Sequence, residues 1–433
     1  MDVEDVGRVG GGGCDGAPEQ PCSLVEELPA AFREYLRRHS IPLDVYSAPC
    51  PRFVRLTAAA AVEAASADAD AKRRVVASLL TVDEAVPRPV PWLPGGEWWE
   101  LPQDVNLSRS MGYKNASLFG MDAASGAAVL ALEVEPGHDV LDLCCAPGAK
   151  LVYLGEKLRG RGRLVGIDVA EHRLAACRTL CHKYGVGDVA TLLEADGTSW
   201  RLRSWDLLER LRVAERDGHG KKGRKRRREQ ALAEEAKNRS EDAAGGEDSC
   251  VLFDRVLVDA ECTHDGSVKH IEKYRTQWGG LDCMDRRVPW LSAAQLEELV
   301  DLQQRLLWSG WRQLKPGGVL VYSTCSLASA QNDEVVRWLL DRDAAAARLD
   351  PLPFQLGPLE DGGSRVPAAR CAALQLGGEE EPAVAARFDP VTSRTSGLFL
   401  ARIRKQEVGA ESVVVKSPDR VDPPCGVSST SPS

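Results

Sequence analysis

The sequence predicts an α/β protein, a doubly wound and mostly parallel sheet with helices on both faces, preceded by a small N-terminal accessory α+β domain. Three observations carry this. From His138 onward, short apolar runs alternate with helical patterns, the signature of a parallel sheet built by crossover helices. Polar residues recur just past the carboxyl ends of those runs, where such sheets bind ligands. Before Asn115 the pattern is mixed and carries no legible chemistry.

Taken in order, residues 1–20 are Gly-rich and read as a disordered leader. Ser23 fits an N-cap, with Glu26 three residues on and apolar positions at Leu24, Leu28, Phe32 and Leu36, which predicts a helix. The accessory domain spans 21–115 and includes the run PRFVRL at Pro51–Leu56 and an aromatic loop at Trp92–Trp99. A second domain covers 116–405. Its strands are read at Asp139–Cys144, Arg163–Asp168, Asp188–Asp196, Asp254–Ala260 and Gly318–Cys325. Helices follow the first turn to Leu158, run from Glu171 to Tyr184 and from Ala293 to Leu314, and resume near Asn332. An insertion at 217–249 holds Lys221–Arg228, seven basic residues in eight. It reads as a solvated loop, a nuclear-import signal or a flexible nucleic-acid contact. Gly357–Glu381 reads as another loop, and 406–433 as a disordered tail.

Composition narrows the class. The 433 residues are 43% apolar and 27% charged, an ordinary globular balance. No apolar run reaches the roughly 18–20 residues of a membrane span, so no membrane partner is expected. The acidic first residues fit neither a secretory signal nor an Arg-rich transit peptide. Thirteen cysteines without a short-period framework suggest a reducing compartment. The reading places the chain in the nucleus, the nucleolus included, or in the cytoplasm, and outside the secretory route. The net charge of −9 argues against a general nucleic-acid coat.

The strand ends carry the candidate chemistry. The turn LDLCCAPGAK has one glycine, Gly148, and lacks the G-x-G-x-x-G of a dinucleotide site. Asp168 suits a ribose diol and equally suits capping the helix from Glu171. Asp196 suits either a nucleoside's adenine or a simple turn. Cys262 and Cys325 end neighbouring strands. Each alone fits a small buried hydrophobe. As a pair beside Asp259, they fit reactive thiols in a polar setting. Cys177, Cys181 and His182 share one helix without a second ligand pair, and no metal is expected.

LDLCCAPGAK, GIDVAEHRL, EADG, VLVDAECT and VYSTCS, in this order, resemble the motifs of the Nop2/Sun (RsmB-type) RNA cytosine-5 methyltransferases. The resemblance covers about Gly120 to Lys405, and Arg387–Lys405 looks like that family's closing strand. It implies a Rossmann-like fold and S-adenosyl-L-methionine as cofactor. Cys144, Cys145, Ala146, Pro147, Gly148, Ala149 and Lys150 would hold its methionine and ribose part. Asp168, with Arg173 nearby, would bind the ribose, and Asp196 would sit by the adenine. Asp259 would lie where cofactor and base meet, Cys325 would be the nucleophile, and Cys262 would help release the product. The implied substrate is RNA, transfer or ribosomal, with the oligomeric state open.

The chemistry suits those roles. Cytosine C5 is a poor nucleophile until a thiolate adds at C6, which splits one hard step into easier ones. Asp259 would hydrogen-bond the N3/N4 edge, and the base must be unpaired or flipped out. Three departures from the family pattern stand out. Gly148-Ala149-Lys150-Leu151 replaces Gly-Gly-Lys-Thr, Glu261 replaces a proline before Cys262, and Thr-His-Asp-Gly-Ser replaces the usual Ser-Gly. Glu261 is expected to raise the Cys262 thiol pKa. These departures motivate an alternative, a catalytically impaired RNA-binding or ribosome-assembly factor on the same scaffold.

Overall fold

A computed structural model describes residues 24–63, 68–80, 86–217, 250–284, 292–357, 365–371, 374 and 382–407, together with 222, 223, 226, 227, 229, 230 and 233. The expected leader, Ser23, most of the insertion and its basic run, and the tail after 407 lie outside those residues.

Two sheets organise the chain. The first is antiparallel, with β1 (Arg52–Leu56), β2 (Arg88–Pro89), β3 (Trp98–Leu101) and β4 (Leu118–Gly120) in the order β2-β3-β1-β4. Its core strand β3 buries both Trp98 and Trp99. The aromatic segment expected as a loop therefore ends in a strand, as bulky aromatics favour on a half-buried pleat. β4 lies beyond Asn115, so this sheet draws residues from across the anticipated boundary.

The N-terminal helix is not continuous. Leu24–Glu27 and Ala30–Arg38 are separate helices, with Pro29 extended between them (φ −56°, ψ 145°); the proline disfavours helical backbone at Leu28 before it and has no N–H for the preceding turn. The apolar face Leu28, Phe32, Tyr35 and Leu36 packs on Val268, Ile271, Tyr274, Leu281 and Met284. These first residues thus belong to the body of the second domain and cover the loop after one of its central strands.

The second sheet holds nine strands: β5 (Asp139–Asp142), β6 (Arg163–Asp168), β7 (Ala190–Glu194), β8 (Phe253–Asp259), β9 (Leu314–Thr324), β10 (Ala347–Leu349), β11 (Ala369–Arg370), β12 (Ala385–Phe388) and β13 (Leu398–Lys405). Its order is β11-β12-β13-β9-β8-β5-β6-β7, with β10 on β13. The run β9-β8-β5-β6-β7 is parallel throughout, and β13 closes it antiparallel to β9. Successive residues bury on opposite faces: Val140 and Val321 join one core, Leu141 and Leu320 the other, as a sheet covered by helices on both sides requires.

Two expectations change here. Arg387–Lys405 is not one strand. Asp389 caps a short helix, Pro390–Ser393, and Arg394 turns left-handed (φ 58°) before β13 begins. The expected loop Gly357–Glu381 contains the two-residue strand β11, which pairs with β12. The chain leaves β5 for β6 on one side and returns to β8 on the other, so the crevice at their carboxyl ends is the switch point where such folds bind ligands. Among the described residues, no helix is long and apolar enough to cross a membrane.

Candidate active site

The turn after β5 is tightly built. Gly148 has φ 109°, and a Cβ there would lie 3.2 Å from the Cys177 Cα, so both handedness and space demand glycine. Ala149 opens the helix Ala149–Lys157 and is absent from the left-handed residues, so replacing the family's second glycine costs no backbone strain. Cys145 is buried, and the Cys177 thiol faces its carbonyl at 3.9 Å. Burial pushes the Cys144 thiol far above the ordinary value, and the neighbouring Cys177 does the same to Cys145. These two cysteines shape the turn as apolar packing. Cys177 and Cys181 are buried in the same core.

Asp142 ends β5 with its carboxyl buried. Its Oδ1 accepts from the Cys144 N–H at 3.4 Å, and its Oδ2 has no partner among the described residues. Burial raises its pKa to about 8, with Asp259 adding to the rise. A buried carboxyl with a free oxygen invites a donor from a ligand. Asp168, also buried, accepts from the Ala170 N–H at 2.9 Å and faces Arg173 at 3.6 Å, while Arg173 donates to the Ala146 carbonyl at 3.1 Å. The capping reading of Asp168 is not met: the helix Glu171–Lys183 has Ala170 at its N-cap with no side-chain cap, and Asp168 closes the turn before it, its other oxygen facing Arg173. Asp196 is exposed and closes a turn through the Thr198 N–H and hydroxyl at 2.9 and 2.7 Å.

The ends of β8 and β9 bring the remaining candidates together. Asp259 is engaged at both oxygens, by the Ser323 hydroxyl at 2.7 Å and the Lys150 ammonium at 2.7 Å. Burial alone would lower the Lys150 pKa, but the Asp259 carboxylate outweighs it and holds it above the ordinary value. Lys150 thus reaches from the turn after β5 to the carboxylate at the end of β8.

Three residues on, the Cys262 and Cys325 sulfurs lie 3.4 Å apart, and His264 Nδ1 lies 3.0 Å from Cys325 and 3.7 Å from Cys262. Cys262 is 3% exposed, whereas Cys325 is only partly covered. The hydrogen bond shared with Cys325 lowers the Cys262 pKa well below the ordinary value against the penalty of burial, and His264 lowers it further. Cys325 is raised in turn. The expectation that Glu261 would raise Cys262 is overturned: Glu261 is exposed, and its charge helps raise His264, to about 9, behind the dominant pull of Cys262. Among the described residues this trio alone has donor atoms close enough, within 4.8 Å, to share an ion.

A polar cage fixes the loop. Thr263 donates its hydroxyl to Asp265 and its N–H to Gln331 at 3.1 Å. Gln331 donates to Thr263 at 2.8 Å and Tyr35 at 3.2 Å, and Gln303 donates to the Glu261 carbonyl at 2.8 Å. Gly266 presses on Gly397: its N–H donates to the Cys325 carbonyl at 3.0 Å, and the Gly397 N–H donates to its carbonyl at 2.7 Å. Sequence reasoning noted THDGS only as a departure and missed His264 as a thiol partner. A histidine two residues past a strand-end cysteine was the available signal.

Comparison with known proteins adds the following. The family model described as 16S rRNA methyltransferase RsmB/F matches residues 129–211 and 225–404. A tRNA (cytosine(49)-C(5))-methyltransferase of Pyrococcus abyssi is 25% identical over 317 residues, 73% of this chain and 79% of the relative. The 5-cytosine rRNA methyltransferase NSUN4 of Bos taurus is 32% identical over 221 residues, 51% of this chain and 44% of the relative. The chain therefore spans less than half the length of several curated relatives that it matches. The crystal structure of NSun6 from Pyrococcus horikoshii with SFG overlays 88% of this chain and all of the other at a TM-score of 0.57 and 15% identity, a likeness of fold.

Proposed function

The chain belongs to the RsmB/F methyltransferase family, and from that premise we propose that it methylates C5 of a cytosine in RNA through a covalent Cys325–C6 adduct. The observation that carries this reading is the pair of sulfurs 3.4 Å apart beside Asp259, over the crevice of a parallel sheet. S-adenosylmethionine, the family's cofactor, supplies an electrophilic methyl group when bound. Its ammonium is a donor of the kind that Asp142 Oδ2 lacks among the described residues, and its ribose hydroxyls suit Asp168 Oδ2, which faces the Arg173 guanidinium at 3.6 Å, so the residues present fit it. Gly148 leaves room for close approach, and Asp196 is the candidate for the adenine side.

The chain's own residues do the rest. Cys325, the more accessible sulfur, adds to C6 and moves electron density onto C5. Asp259, held by Lys150 and Ser323, orients the base by its N3/N4 edge. Cys262 takes part in proton removal, after which Cys325 leaves. The relatives' names divide between tRNA and rRNA, and the same pocket serves either, because the base must be out of the stack in both.

Tritium transfer from labelled cofactor into RNA is the test. Wild type should label RNA, and Cys325→Ala should fall to background. Full activity in that variant would sink the nucleophile assignment. Calorimetry separates the binding-factor alternative, which predicts no cofactor uptake. Bisulfite sequencing of RNA from cells with and without the protein would name the target. The run Lys221–Arg228 is proposed as a nuclear-import segment, and an unchanged distribution after its deletion would remove that proposal.

A further inference from the structure

Taking Cys325 as the nucleophile, we propose that His264 is a further catalytic residue, an imidazolium that holds the single thiolate of the Cys262–Cys325 pair and resets it after each methyl transfer. The geometry carries it: Nδ1 is 3.0 Å from one sulfur and 3.7 Å from the other. His264 also sits where the family pattern has the glycine of Ser-Gly, and it keeps the left-handed backbone that glycine would adopt freely, φ 55°. A non-glycine residue held in that region is a strained feature, and such strain clusters at functional sites.

The surroundings favour the cation. Glu261 and Asp265 on its own loop raise the imidazole. From the helix Val268–Thr276, His270 stacks on it at 4.7 Å. Burial first, and His264 second, push His270 down to about 4, so His270 is neutral and does not compete. Lys150 and Asp259 face Cys325 with opposite charges, and Tyr35 and Tyr322 approach Cys262 as neutral phenols.

The protons balance. At rest, one sulfur of the pair is a thiolate beside the imidazolium. As the Cys325–C6 bond forms, the Cys325 proton passes to Cys262, and the C5=C6 electron pair moves onto C5. The C5 pair then forms the bond to the transferred methyl group, whose bond to its donor sulfur breaks. With both cysteine sulfurs neutral, the imidazolium gives its proton to water and then accepts the Cys262 proton. The Cys262 thiolate takes the C5 proton, the S–C6 bond breaks, and Cys325 leaves as a thiolate. One proton per methyl group goes to solvent, as the overall reaction requires.

The test is alkylation of the full-length free enzyme by iodoacetamide from pH 5 to 10, read at the Cys262 and Cys325 peptides by mass spectrometry. Because it needs no RNA, it can fail while the methyl-transfer reading stands, and the reverse. Wild type should alkylate near its plateau rate at pH 6.5. His264→Asn, which tolerates the left-handed backbone, should shift the half-maximal pH upward by at least about one unit, towards the ~8.5 of a free thiol. Its kcat at pH 7 should fall at least tenfold with KM for RNA little changed. Superimposable profiles would overturn the proposal. Should that variant not fold, NMR titration of wild-type His264 decides: alkylating both sulfurs should lower its midpoint by more than one unit, and an unchanged midpoint would contradict the role.

Discussion

A buried carboxyl group with one oxygen unpaired writes its signature into the pH dependence of stability, and Asp142 is such a group among the described residues. Its folded pKa, about 8, lies above the unfolded value of ~3.9. Between those values the folded chain keeps a proton that the unfolded chain has lost, so stability falls as pH rises from about 4 to 8. Asp142→Asn should therefore stabilise the cofactor-free protein at pH 8 by more than about 1.4 kcal/mol, one pKa unit's worth, with no gain near pH 4. Thermal unfolding at both pH values checks this, and an equal gain at both would contradict it. At this scale the sequence disclosed the residues with a motif: Cys262, Cys325, Asp259, Asp168 and the turn at Gly148. It did not disclose contacts set by tertiary approach. Lys150 was read as part of the cofactor turn, yet its ammonium pairs with Asp259 109 residues away. Glu261 helps raise His264, and Cys262, next to Glu261, is lowered overall by Cys325 and His264.

Between elements, two contacts hold the site in place. Gly266 and Gly397 bring backbones together, since a Cβ on Gly266 would lie 2.8 Å from the Cys325 carbonyl oxygen and 3.0 Å from the Gly397 Cα. Gly266→Ala should push the Cys262–His264 loop away from Cys325. The expected loss is at least about tenfold in kcat/KM, near 1.4 kcal/mol of transition-state stabilisation, and activity equal to wild type would refute the contact's role. Farther out, Arg55 of β1 donates to Glu156 at 2.5 Å and lies over the rings of Phe119 and Tyr153 at 4.9 and 4.3 Å. It braces the helix that carries Lys150. Both charges are buried, and burial raises the Glu156 pKa despite Arg55. Arg55→Leu alone should cost about 3–5 kcal/mol by stranding Glu156, while Arg55→Leu with Glu156→Leu should recover most of it. Denaturant unfolding of the cycle tests this, and additive losses would contradict it. The parallel strands were legible because each is a short apolar run between polar breaks. The split of the first helix at Pro29 was masked by an apolar spacing that continues through it, and the strand at Trp98 by its aromatic-rich, Gly-Pro surroundings.

For the whole molecule, net charge was a poor guide to partner. Setting aside the seven positive charges of Lys221–Arg228 takes −9 to −16 for the rest, so attraction to RNA must be local. Deleting that run should weaken RNA binding at low salt and flatten its salt dependence, because fewer counterions are released. An unchanged slope would assign the phosphate contacts to the cleft instead. Sequence shows where apolar faces lie but not what they cover. Helix Ala30–Arg38 turns its face onto the segment after β8, with the Tyr35 hydroxyl donating to Thr263 at 3.2 Å, next to Cys262. The central claim remains the covalent adduct, and one measurement reaches it. Cys262→Ala, incubated with RNA and S-adenosylmethionine, should accumulate a protein–RNA species that survives a denaturing gel, and the species should vanish in Cys262→Ala/Cys325→Ala. No such species in the single variant, or one that persists in the double, would contradict the account.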